Sequence, residues 1–204
     1  MPDESVKDKV PLGFSIRHTF RGEGTVTTRI AWSPDGLLLA SVGSDDIILL
    51  WNAEAGGLYR ALMQHSDVLT SQWVKGIAWS PDGTTIASGS IDGTILLWDA
   101  VTGRLTRTLE GHTGYVTSVS FSFDGRLLAS KSSDHTVRLW RSDTWENVSS
   151  LYEIASGYLF SSLSFHPKAP VLATAESGRR AWVGDWRTGS SRSILLPTGS
   201  SSGS

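Results

Sequence analysis

Short apolar runs recur along the chain, each bounded by turn-forming residues. Leu37-Leu-Leu-Ala40 and Ile47-Ile-Leu-Leu50 are apolar at consecutive rather than alternate positions. A strand with one face in water alternates, whereas a strand covered on both faces need not. Ile86-Ala-Ser88 followed by Thr94-Ile-Leu-Leu97, and Leu127-Leu-Ala-Ser130 followed by Thr136-Val-Arg-Leu139, repeat the arrangement. Prolines, glycines and β-branched residues interrupt every stretch that could make a helix of ordinary length. The pattern predicts an all-β chain of short strands covered on both faces.

The runs belong to larger units. Arg29-Ile-Ala-Trp-Ser-Pro-Asp-Gly36, Gly76-Ile-Ala-Trp-Ser-Pro-Asp-Gly83 and Ser118-Val-Ser-Phe-Ser-Phe-Asp-Gly125 open three of them, and Ser162-Leu-Ser-Phe-His-Pro167 opens a weaker fourth. Trp32 to Trp79 is 47 residues, Trp79 to Phe121 is 42 and Phe121 to Phe165 is 44. Alanine and tryptophan stand eleven apart in Ala40/Trp51, Ala87/Trp98 and Ala129/Trp140. A period of about 40–45 residues is that of a four-stranded blade in a repeat array. Ser-Pro-Asp-Gly suits a β-turn, because proline presets φ at its second position and glycine relieves strain at its fourth. Asp92-Gly93 between two apolar runs signals a hairpin. Asp45-Asp46 and Asp134-His135 take the same place with poorer turn chemistry.

At these residues the sequence resembles the WD40 repeat family, over about residues 14–186. The Ser-Pro-Asp-Gly turn, the Leu-Ala-Ser strand, the Asp-Gly-Thr turn, the Leu-Trp-Asp end and Gly111-His112 recur in register. The third and fourth units look most like the WD-repeat region of multidomain bacterial signalling proteins. The resemblance implies a β-propeller of four-stranded antiparallel blades, about four of them, forming a partial or small propeller. The repeats run approximately 14–52, 58–99, 104–141 and 148–186. Residues 1–13 read as a flexible N-terminal tail, 14–189 as the propeller, and 190–204 as an orphan strand with a flexible Ser/Gly end.

The resemblance also implies a hydrogen-bonded tetrad of histidine, serine or threonine, aspartate and tryptophan in each blade. The third repeat offers His112, Ser130, Asp134 and Trp140. The second offers His65, Ser88, Asp92 and Trp98, with Gln64 where the family has glycine. The first offers Ser41, Asp45 and Trp51, with Glu23 at the histidine place. The fourth offers Thr174, with Ser156 at the histidine place, no clear aspartate, and either Trp182 or Trp186. Read in isolation, Ser130, His112 and Asp134 resemble a catalytic triad. A triad occurs once, beside an oxyanion hole; here the same residue types recur in register, so a structural network is expected. Imidazole donates to one partner and accepts from another, and a buried indole N–H needs an acceptor.

Composition narrows the remaining classes. The 204 residues carry a formal net charge of −2, which supplies no broad attraction to nucleic acid or anionic membrane. The absence of cysteine excludes disulfides and thiolate chemistry and fits a reducing, cytoplasmic setting. Met1 to Val10 has the composition of no signal peptide, and no apolar run approaches the ~18 residues of a membrane span. The five histidines are scattered without ligand spacing, so no metal is expected. No phosphate-binding Gly-Lys-Ser/Thr follows any glycine-bearing loop, and no cofactor is expected. Asn147-Val-Ser149 matches a glycosylation sequon, but no secretion signal accompanies it.

What remains is a binding scaffold. Trp73, in the second unit's longer connection, and Tyr115 and Tyr158, in the equivalent connections of the next two, are candidate anchors for a protein or peptide partner. Trp145 is a further candidate on the opposite rim. A regulatory segment of a larger signalling protein is the alternative reading, and a propeller hydrolase a more distant one. Phe14 to Phe20 and Arg192 to Leu196 both read as outer strands, although a closed four-blade ring needs one. The expectation is therefore a fragment of a longer protein or an open array that self-associates, rather than a small closed ring.

Overall fold

A computed structural model of the chain describes residues 15–20, 27–43, 47–62, 74–152, 162–176, 180–185, 188 and 190–195. Every regular element among them is a strand. The first sheet holds β1 (Thr27–Trp32), β2 (Leu38–Gly43), β3 (Ile48–Asn52) and β4 (Leu58–Leu62). The second holds β5 (Val74–Trp79), β6 (Thr85–Ser90), β7 (Ile95–Asp99) and β8 (Leu105–Leu109). The third holds β9 (Val116–Phe121), β10 (Leu127–Ser132), β11 (Thr136–Arg141) and β12 (Asn147–Tyr152). The fourth holds β13 (Leu163–Phe165), β14 (Val171–Glu176), β15 (Arg180–Asp185) and β16 (Ser190–Leu195). Each sheet is an antiparallel meander, as expected of blades.

Two of the terminal segments depart from the sequence reading. The expected orphan strand at 190–195 is the fourth strand of the fourth sheet, pairing along β15 from Asp185↔Ser190 to Arg180↔Leu195. A strand next in line along a meander finds its neighbour's free edge by the shortest connection. At the other end, residues 15–20 form no strand, though Phe14–Phe20 read as one. Phe20 instead lays its ring 5.2 Å from Trp51, and the His18 ring nitrogen Nε2 is 2.9 Å from the Glu54 carbonyl.

The turns explain the periodic sequence signals. Ser33 donates its hydroxyl to Asp35 (2.6 Å) while Oγ accepts from the Leu38 N–H, and its backbone exchanges bonds with Leu38 and Gly36. Ser80 with Asp82 and Ser122 with Asp124 repeat this unit. The serine thus closes the first hairpin of the first three sheets from inside, and His166 takes its place in the fourth.

The core lies between sheets. One cluster joins Ala40, Ile48 and Leu50 of the first sheet to Trp79 and Ile86 of the second. A second joins Ala87, Ile95 and Leu97 to Val119 and Phe121 of the third. A third joins Ala129, Val137 and Leu139 to Leu163 and Phe165 of the fourth. Burial on both faces is why β3 and β7 carry continuous apolar runs. The opening strands β1, β5, β9 and β13 pack on one another in succession, so the four sheets stack around a common line.

Candidate functional site

The third sheet contains its tetrad in full. β10 supplies Ser130, β11 supplies Trp140, their connecting turn supplies Asp134, and the connection from β8 supplies His112. Trp140 donates its indole N–H to Ser130 Oγ (2.8 Å), and Ser130 Oγ lies 2.7 Å from His112 Nε2. His112 Nδ1 lies 2.8 Å from Asp134 Oδ2. One assignment satisfies every atom: Nδ1–H donates to the carboxylate, and Nε2 accepts the Ser130 hydroxyl proton. Asp134 Oδ1 takes the Thr136 hydroxyl (2.6 Å) and N–H, and Oδ2 takes the Thr113 N–H.

The charges follow from this wiring. Burial pushes the His112 imidazole below its ordinary value; the Asp134 hydrogen bond and charge pull it back in part, and Arg138 adds to the depression. Burial raises the Asp134 carboxyl, but hydrogen bonds from Thr136, His112 and the Thr113 N–H outweigh it and lower the pKa to about 2. The histidine is neutral and the aspartate ionised at neutral pH. Gly111 is needed beside them: at φ 144° a Cβ there would stand 2.5 Å from the Arg138 guanidinium. Ser130 is wholly buried, donates to one partner and accepts from another, so its oxygen cannot attack a substrate.

The other sheets carry parts of the network. In the second, Trp98 donates to Ser88 (2.9 Å), and Asp92 takes the Thr94 N–H and hydroxyl. His65 lies outside the described residues. In the first, Trp51 donates to Ser41 (2.8 Å), and Asp45 lies outside the described residues. In the fourth, Thr174 is paired in register with Trp182, just as Ser130 is with Arg138. The position matching Trp140 falls on Gly184, so Trp182 stands two residues short of the tetrad register, and Trp186 lies outside the described residues. Thr174 instead accepts from Lys131 Nζ (2.6 Å), which also donates to the Ala175 carbonyl (2.8 Å). Lys131 takes the place of Val42 and Gly89, and sequence reasoning passed over it because neither its strand nor its spacing marks it out.

The WD40 family model, "WD domain, G-beta repeat", matches residues 14–52, 58–99 and 103–141. The chain belongs to the WD40 family. The matched segments each contain one serine–tryptophan brace, and the fourth sheet, which departs from the tetrad, lies beyond them. Among solved structures, this WD40 chain is similar to one described as RRP9 WD40 repeats, at 24% identity and a TM-score of 0.76, covering 86% of this chain and 52% of that one. It is also similar to the structure of U3-55K, at 24% identity and a TM-score of 0.77, covering 88% of this chain and 54% of that one. The WD40 array thus spans about half the length of these propellers. No curated protein matches it.

The rim bearing the tetrad turns also bears Tyr115. Its N–H donates to Ser133 Oγ (2.8 Å), and its carbonyl accepts the Ser133 N–H (2.9 Å), while the side chain is 44% exposed. Trp73 and Tyr158 lie outside the described residues. On the opposite rim Trp145 is half-buried, its ring edge-on to Phe121 with centroids 6.4 Å apart. It has φ 61°, where the equivalent turns carry Gly56 and Gly103. Trp145 is therefore a packing residue as well as a rim residue.

Proposed function

We propose that this WD40 chain is a non-catalytic scaffold that binds a protein or peptide partner on the rim formed by the connections between sheets. The supporting observation is the seating of Tyr115, an exposed aromatic whose backbone is clamped on both sides by Ser133. An aromatic held on a rigid frame loses little freedom on binding, which is what makes such residues interface anchors. Trp73 and Tyr158 occupy equivalent connections in the sequence. The third sheet's tetrad acts beneath the rim as internal bracing. Among the described residues no helix is long and apolar enough to cross a membrane.

Selection of peptides from a displayed library on the whole chain tests this. Y115A or W73A is expected to weaken a selected peptide tenfold or more, while W145A, on the opposite rim, leaves it unchanged. Selected peptides indifferent to both Y115A and W73A overturn the assignment of the surface.

A further inference from the structure

The second, third and fourth sheets each present an aromatic from the opening strand to the sheet before it. Trp79, Phe121 and Phe165 are 9%, 8% and 6% exposed because each is pressed on the preceding sheet. Trp79 also donates its indole N–H to the Ala31 carbonyl of that sheet (3.2 Å). In the same register position of the first sheet, Trp32 is 57% exposed, and Ile30 beside it is exposed too. At the far end, the receiving surface stands open. Ala40, Ala87 and Ala129 with Leu50, Leu97 and Leu139 are buried where they receive the next sheet. Their counterparts Ala173 and Val183 in the fourth sheet are only half-buried. Among the described residues, no strand of the first sheet packs substantially on a strand of the fourth.

One chain therefore carries both halves of an interface it already makes three times internally. We propose that two copies join head to tail, Trp32 and Ile30 of each seating on Ala173 and Val183 of the other. By continuity with Trp79 on Ala31, the Trp32 indole N–H would meet the Ser164 carbonyl of the partner copy. Such a contact is heterologous and closes only if its rotation completes a ring. The four sheets superpose on longer WD40 chains with TM-scores of 0.76 and 0.77, so they stack in the manner of propeller sheets. Two seams then close a ring of eight sheets, within the range that propellers adopt. This proposal is independent of the loop-rim reading, which needs neither end of the array.

Light scattering of the purified full chain across a concentration range tests it. The expected mass is twice that of one chain, reached at micromolar concentration and constant above it. W32E and A173R, at opposite ends, are each expected to give single-chain mass with a retained β-sheet spectrum and a cooperative melt. Mixed in equal amounts they are expected to regain the doubled mass, because one seam is then unmodified and the other pairs Glu with Arg. A single-chain mass for the parent at all concentrations, a mass that climbs without stopping at two, or a dimer indifferent to W32E overturns the proposal.

Discussion

Replacing His112 with alanine removes the hub of the third sheet's network. Two hydrogen bonds vanish, one to the ionised Asp134 and one to Ser130. A bond to a charged group contributes about 1.5–3 kcal/mol and a neutral one about 0.5–1.5 kcal/mol. The Ser130 hydroxyl, wholly buried, then has a proton with no acceptor, while Asp134 keeps its bonds from Thr136 and the Thr113 N–H. The ring also leaves a void beside Trp140, whose centroid is 6.4 Å away. The expected loss is about 3 kcal/mol, or a midpoint shift of about 1–2 M in urea at an unchanged slope. The assay is equilibrium urea denaturation of parent, H112A, S130A and the double variant. Because the two residues share a bond, their effects are expected to be less than additive. A loss under about 0.5 kcal/mol for H112A, or strict additivity with S130A, would falsify the bracing role.

The pH dependence has a definite sign. The folded-state pKa of His112 is depressed, so the unfolded chain takes up its proton first as pH falls below 6.5, and stability declines from there. Asp134, lowered from 3.8 to about 2, adds a second loss as pH falls from about 5 towards 2. Thermal melts from pH 8 to 3 should show both phases in the parent, and H112A should lack the first. His135 sits at φ 65° where the second sheet has Gly93 at φ 86°. H135G relieves a left-handed cost of about 1–2 kcal/mol and gives back about 0.4–1 kcal/mol in unfolded-chain entropy. A midpoint equal to or slightly above the parent's is expected; a clear drop contradicts the strain assignment. K131A removes two hydrogen bonds that tie the third sheet to Thr174 and Ala175. Amide exchange along β14 should speed up at least tenfold relative to β6, and equal protection contradicts the tie.

The repeating unit was legible because its signals are local. Ser-Pro-Asp-Gly, Asp-Gly-Thr and the Ala-to-Trp spacing each report a turn or a strand within a dozen residues, and the observed hairpins follow them. Continuous apolar runs announced burial on both faces, which the intersheet clusters supply. The tetrad of the third sheet was readable from resemblance because its residues hold fixed offsets from those turns. Features that depend on what lies beside a unit were not legible. Whether residues 190–195 stand alone or complete a sheet depends on the free edge of β15. The register of Trp182 depends on pairing across β14, which shifts the tetrad place to Gly184. Lys131 looks like a surface residue until the fourth sheet covers it. Trp32 and Trp79 have the same local sequence, Ile-Ala-Trp-Ser-Pro-Asp-Gly, yet one is exposed and the other buried. Only the neighbouring sheet distinguishes them.

Ser130, His112, Asp134 and Trp140 form closed internal bracing. Nitrogen-15 NMR of the His112 ring through a pH titration reads that state most directly. The account predicts a neutral imidazole with its proton on Nδ1, titrating below 6.5, and a Trp140 indole proton protected from exchange. An imidazole that titrates freely at its ordinary value, with a rapidly exchanging Trp140 indole proton, would contradict it.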